Sequence, residues 1–184
     1  MADLERPKIK VGFIPIIDCA PIVLAEELGA YERQGLEVEI RREVSWANVR
    51  DKLALGKLDA SHILAPLPIA LTLGIDSVSV PVINAMTLQV NGNALTLSKG
   101  LWQEMEEAAP ELVGDGRAPL DARALAAVVA KRAAARAKPV VLASVFPYSV
   151  QNYMVRHWLA SGGLRSRHVA GDGGGGFVEY VFGA

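Results

Sequence analysis

Four short segments of this chain hold the residues that could do chemistry on a small ligand, and each reads as a strand running out into the first turn of a helix. They are "IPIIDCAP" around Asp18, Cys19, Ala20 and Pro21; "EVSWAN" around Ser45, Trp46 and Ala47; "HILAPLP", opened by His62; and "VFPYSVQN", from Pro147 through Ser149 to Asn152. A helix start presents unpaired backbone N–H groups and the positive end of the peptide dipole, so several such turns gathered at one edge suit an anion. Trp46 adds an indole N–H and a flat wall that would match a planar oxyanion, against the competing role of a core or lobe-contact aromatic. His62 has no partner at metal-ligand spacing, and a structural imidazole is its simpler reading. Cys19 would have an acidified thiol at a helix start, yet no His or Asn is paired with it, so it reads as a small packing residue, and Asp18 as a helix cap. The uncharged amides Gln89, Asn91 and Asn93 could form turns or touch a ligand. There is no zinc set, nucleophile set, phosphate loop or dinucleotide fingerprint, so neither metal nor cofactor is expected.

The elements that must position these residues alternate. Residues 9 to 16 form a β-branched apolar run, and a helix follows with Leu24, Leu28 and Tyr31 at helical spacing, ending near Gly35. "LEVEI" alternates Leu36, Val38 and Ile40 against Glu37 and Glu39 as a second strand. Ser45 is placed to cap a helix with Val49 and Leu53 on its buried stripe and Gly56 at its stop. "LDASHILA" reads as a strand, "PLPIALTLGI" as a short helix and "SVSVPVINAMTL" as an extended segment, giving a βαβαβαβ order and a mainly parallel sheet covered on both faces. "NGNALTLS" reads as a strand crossing between lobes, which puts a boundary near residue 98. Beyond it come a helix at "LWQEMEEA", a loop to 120, and an Ala-rich helix over 121–137 whose Lys131, Arg132 and Arg136 read as a solvated face. "KPVVLASVF" is a buried-type strand, and the next helix carries Val155, Trp158 and Leu159 on one side. The Gly-rich tail over 165–184 shows no strand pattern. The division expected is therefore a first α/β lobe with its crossover over 1–98, a partial second lobe over 99–164, and the tail.

Composition bounds the function. With 51% hydrophobic and 21% charged residues the chain is globular, and a net charge of −1 with pI near 6.3 gives no reason to expect nucleic acid. The single cysteine excludes an internal disulfide. The amino end meets charges before any apolar run, unlike a secretion signal, and the uncharged stretch 77–98 is broken by polar residues, Pro81 and Gly92. A cytoplasmic chain without a membrane span is the expectation, with a periplasmic or membrane-associated one as the alternative.

The runs "VGFIPIIDCAPIVLAEELGAYERQGLEVEI", "EVSWANVRDKLALGKLDASHILAPLPIALTLGI", "NGNALTLSKGLW" and "VFPYSVQNYMVRHWLASGG" together resemble the nitrate and bicarbonate substrate-binding proteins of ABC transporters, and among them the cytoplasmic nitrate/nitrite sensors. The resemblance covers about residues 9 to 164. It implies a type II periplasmic-binding-protein α/β architecture, with one nearly complete lobe and a partial second one, and a small anion held between lobes that close on it. It also implies ligand contacts from Trp46 and from Asn93, where the family carries a longer amide. The candidate ligand set is thus Trp46, Asn93, Asp18, Cys19, Ala20, His62, Pro147 and Ser149. The family runs on beyond 184 residues, so a truncated or frameshifted chain is expected. The function implied is a non-enzymatic nitrate or nitrite sensor acting on a regulatory protein partner. A substrate-binding component working with an ABC permease is the alternative. A cofactor-biosynthesis enzyme on the same fold, using Asp18, His62 or Lys52, is a rival of another class.

Overall fold

The computed structural model describes residues 5–90, 92–114, 119–169 and 177–183, and the chain forms two compact units, Met1–Asn91 and Gly92–Ala184. In the first unit three parallel strands, β1 (Lys8–Phe13), β2 (Glu37–Arg42) and β3 (Ala60–Ser61), lie in the order β2-β1-β3. Phe13 pairs with Arg42 and Gly12 with Ser61, so all three carboxyl ends reach one edge. Two-residue β3 is shorter than the strand expected from "LDASHILA".

A turn of 3-10 helix (Ile17–Cys19) leads into α1 (Ala20–Glu27), and α2 (Ala30–Arg33) follows. The single helix expected here is divided because Gly29 adopts φ +63°, a left-handed geometry that costs glycine nothing. Leu24 and Leu28 consequently stand exposed instead of forming a buried stripe, while the Tyr31 hydroxyl donates to the Ile22 carbonyl at 3.1 Å. α3 (Trp46–Ala54) starts where Ser45 Oγ accepts the Asn48 N–H at 3.1 Å, and it buries Trp46 and Val49. α4 (Leu67–Leu73) has Pro66 at its cap and Pro68 in its first turn, where a missing N–H costs no helical bond.

The expected fourth strand and the crossing strand do not form: between residues 77 and 98 the described chain has no regular element. It is tied down by Val80 N–H to the Leu71 carbonyl (3.1 Å) and Ser79 Oγ to the Thr72 carbonyl (2.9 Å). Pro81 cannot donate to a ladder, and apolar alternation alone makes no strand without an edge to pair with.

The second unit holds α5 (Lys99–Ala108), α6 (Pro110–Val113), α7 (Ala122–Ala134), β4 (Val140–Ser144), α8 (Val150–Ser161), β5 (Leu164–Val169) and β6 (Phe177–Gly183). Ser98, Asp121 and Ser149 cap α5, α7 and α8 by accepting backbone N–H groups. The sheet is antiparallel, in the order β4-β6-β5. This corrects the strandless tail: β5 begins one residue before it, at Leu164, and runs into it, and β6 is the central strand, because the β-branched and aromatic run "FVEYVF" supplies the propensity that the glycines before it obscured. Those glycines, 171–176, lie outside the described residues, as does Asn91. Leu125, Val128 and Val129 of α7 pack with Met105, Val140, Leu142, Leu159, Leu164 and Val181 in one continuous core. Arg132 is not on a solvated face: it grips Glu104 of α5 through two bonds of 2.8 and 2.6 Å.

Candidate functional site

The carboxyl edge of the first sheet collects three of the four strand-to-helix turns. The Glu43 N–H donates to the Phe13 carbonyl at 2.8 Å and the His62 N–H to the Gly12 carbonyl at 2.9 Å, so the chains leaving β2 and β3 are both stitched to the end of β1. Ser45 then turns the chain into α3. That fixes Trp46 at the first helical position, and its ring meets the edge of His62 with centroids 5.2 Å apart and planes at 73°. Both side chains are 6% exposed. The indole is therefore packed at the strand tips against an imidazole and is not an open wall.

His62 Nδ1 has no hydrogen-bond partner. Burial pushes the His62 pKa below its ordinary 6.5, partly opposed by the negative field of Asp18. The ring is accordingly neutral at pH 7, with one nitrogen a donor and the other an acceptor. Asp18 is half-buried within the 3-10 turn, and neither that turn nor α1 has a side-chain cap, so the expectation of a capping carboxylate is corrected: the turn begins one residue before it. Cys19 is buried and Ala20 is the first residue of α1.

Residues that sequence reasoning passed over complete the edge. Glu43, directly after β2, is 3% exposed and accepts both bonds of Lys52 Nζ, at 2.9 and 2.7 Å. Asn48 Oδ1 and Ser61 Oγ are buried without partners, like His62 Nδ1. A signal for Asn48 existed in its place one turn after the Ser45 cap. The Glu43–Lys52 pair gave none, since the two sit on different elements. A groove of ≈ 540 Å³ in this unit reaches the edge at Ser61 and is also lined by Tyr31, Pro68, Val82 and Met86 among others, but neither Trp46 nor His62 lines it.

The remaining candidates lie in the second unit. Pro147 is half-buried; Ser149 is fully buried and its Oγ accepts the Asn152 N–H at 3.1 Å. The Asn152 amide donates to Ser144 Oγ at 2.9 Å. Asn93 is exposed on the irregular segment. Among the described residues no group of three or more His, Cys, Asp or Glu could hold a metal ion, and no helix is long and apolar enough to cross a membrane.

Comparison with known proteins shows the family and the fold. The sequence model of the NMT1-like family matches residues 2–171. The chain is 37% identical over 163 residues to the nitrate import ATP-binding protein NrtC of Synechocystis sp. (strain ATCC 27184 / PCC 6803 / Kazusa), covering 88% of this chain and 22% of that protein. It is 33% identical over 167 residues to the nitrate/nitrite binding protein NrtA of the same organism, covering 87% and 34%. The bicarbonate-binding protein CmpA of Synechococcus elongatus (strain ATCC 33912 / PCC 7942 / FACHB-805) is 30% identical over 169 residues, covering 89% and 35%. The crystal structure of the periplasmic nitrate-binding protein NrtA from Synechocystis PCC 6803 superposes with a TM-score of 0.66 at 30% identity, over 86% of this chain and 39% of that one. The fold is thus of the periplasmic-binding-protein kind, mixed α/β with a parallel sheet, and the chain spans 22% to 35% of the length of these curated relatives.

Proposed function

The chain belongs to the NMT1-like family, and on that premise we propose that it binds a small planar oxyanion, nitrate, nitrite or bicarbonate, as the substrate-recognition part of an ABC-type import system. The observation that carries this reading is the placement of Trp46 at the first residue of a nine-residue helix, against His62, where three parallel strands end. The first turn of α3 directs N–H groups to that edge, and the indole N–H supplies one more donor. Binding without turnover is supported by relatives named as binding proteins, NrtA and CmpA. The transport role is favoured over the cytoplasmic sensor because relatives are named as import or binding proteins and none of those compared above as a sensor.

A second reading is favoured by the match to NrtC. That relative is named an ATP-binding protein, yet the aligned part is 22% of it and this chain has no phosphate loop. We infer that the likeness is to a part of that protein other than its nucleotide site, and that this chain would report anion to a transport machinery.

Titration calorimetry against nitrate, nitrite, bicarbonate and an alkanesulfonate tests the reading. Trp46→Phe keeps the ring but removes the N–H, and its nitrate affinity is expected to fall about tenfold or more, the worth of a hydrogen bond to a charge. Unchanged affinity would rule the contact out, and silence toward every anion by the intact chain would overturn the function.

A further inference from the structure

Resting on the anion-binding reading, we propose that His62 selects between anions by their own protons: nitrate enters together with a proton that lodges on the His62 ring, whereas bicarbonate is held by the neutral ring and takes up none. The imidazole is 6% exposed, its Nδ1 has no partner, and it touches the indole that opens α3. A buried nitrogen left without a bond is costly unless a ligand satisfies it. Nitrate has only acceptor oxygens, so it needs Nδ1 to carry hydrogen, and a ring that keeps its one hydrogen on Nε2 supplies that only by taking up a proton. Bicarbonate brings an O–H, which a bare Nδ1 lone pair can accept.

The charges around the ring set the balance. Asp18 on the 3-10 turn is the charge whose field reaches it, and Cys19 is the other titratable group of that turn. On α3, Arg50 is paired with Asp51 and Lys52 with Glu43; α4 carries no titratable side chain. The field of Asp18 opposes nitrate and bicarbonate alike, so the difference between them rests on the bicarbonate O–H, which nitrate lacks. The proton comes from solvent, and no other bond is made or broken.

Calorimetry in buffers of different ionisation heat counts the protons taken up by the intact chain. Nitrate binding above neutrality is expected to take up close to one, with affinity falling by up to about tenfold per pH unit. Bicarbonate binding over the same range is expected to take up none and to change little. His62→Gln, whose amide both donates and accepts, should bind nitrate with no uptake and a flat pH profile. Should that variant not fold, the carbon-bound imidazole proton of His62 in the intact chain, assigned with His157→Gln and His168→Gln, must move to its protonated position on adding nitrate. Nitrate binding without uptake, uptake that survives His62→Gln, or equal uptake with both anions would overturn the selection while leaving the anion site intact. Absence of binding heat from both anions would instead overturn the site itself.

Discussion

The two units spend their residues differently. The second gathers its apolar side chains from four helices and three strands into one core, closed by the buried Leu159, Leu164 and Val181. The first leaves Ile17, Leu28, Val78, Ile83 and Val90 exposed, where the second exposes Val141, Val145 and Met154, and among the described residues it buries three side-chain polar atoms without partners, at Asn48, Ser61 and His62, against one in the second, Gln151 Oε1. Burying such atoms lowers stability unless an ordered water or a ligand completes them. The difference is one of degree: the second unit leans toward a structural economy and the first, on the proposed reading, toward a chemical one, and substitutions that act on one economy only should separate them.

The largest effect is expected from a single methyl group. A Cβ at Gly162 would lie 2.6 Å from the Ala122 backbone carbon and 2.7 Å from its oxygen, where the neighbours are main chain and cannot swing aside. Gly162→Ala should cost about 3 kcal/mol, lost from amide-exchange protection in the second unit. At Gly12 the nearest atom is Leu58 Cδ1 at 2.5 Å, the far end of a flexible side chain, so Gly12→Ala should cost well under half as much. Equal costs would mean that the α7–α8 contact is no tighter than the packing under β1.

Next is Lys52→Met, which strands the buried Glu43 carboxylate. Lys52's own side chain is 40% exposed, so water screens the pair, and a loss of about 2 kcal/mol is expected, below that of a fully buried pair. Adding Glu43→Gln should recover most of it, a coupling that a double-mutant cycle in urea measures. If the two substitutions simply add, the pair is not an economy of the first unit at all.

How far the sequence foretold these regions follows the same division. Capping is local, so Ser45 and its helix were legible from one side chain and the apolar spacing behind it, and the turn to Trp46 followed. Gly29 was also in plain view, but the helical spacing of Leu24, Leu28 and Tyr31 ran straight through it, and spacing cannot tell one helix from two set end to end. The run around Pro81 misled oppositely, since its residues favour extended chain while pairing depends on an edge elsewhere. β6 was hidden by its glycine-rich approach. At the proposed site, the turns and Trp46, His62 and Asp18 were legible because each lies where a strand runs out or a helix starts; Glu43, Asn48 and Ser61 stand out through burial, a tertiary property that no local pattern reports.

The smallest effect is the pH dependence of stability. Burial holds the His62 pKa below its ordinary value of 6.5 in the folded chain, with Asp18 offsetting part of the shift. As pH falls through 6.5 the unfolded chain takes up a proton at this residue before the folded chain does, so His62 draws the equilibrium toward unfolding. Its contribution to stability is thus complete above pH 6.5 and is lost as pH falls toward the folded value. Urea midpoints followed from pH 8 to pH 5 should decline below 6.5, and the decline should flatten in His62→Gln. Nitrate at saturating concentration should abolish it, because an anion that holds the protonated ring raises the folded pKa past the unfolded one. A decline that nitrate leaves untouched would place the anion away from His62, and with it away from the strand tips of the first unit.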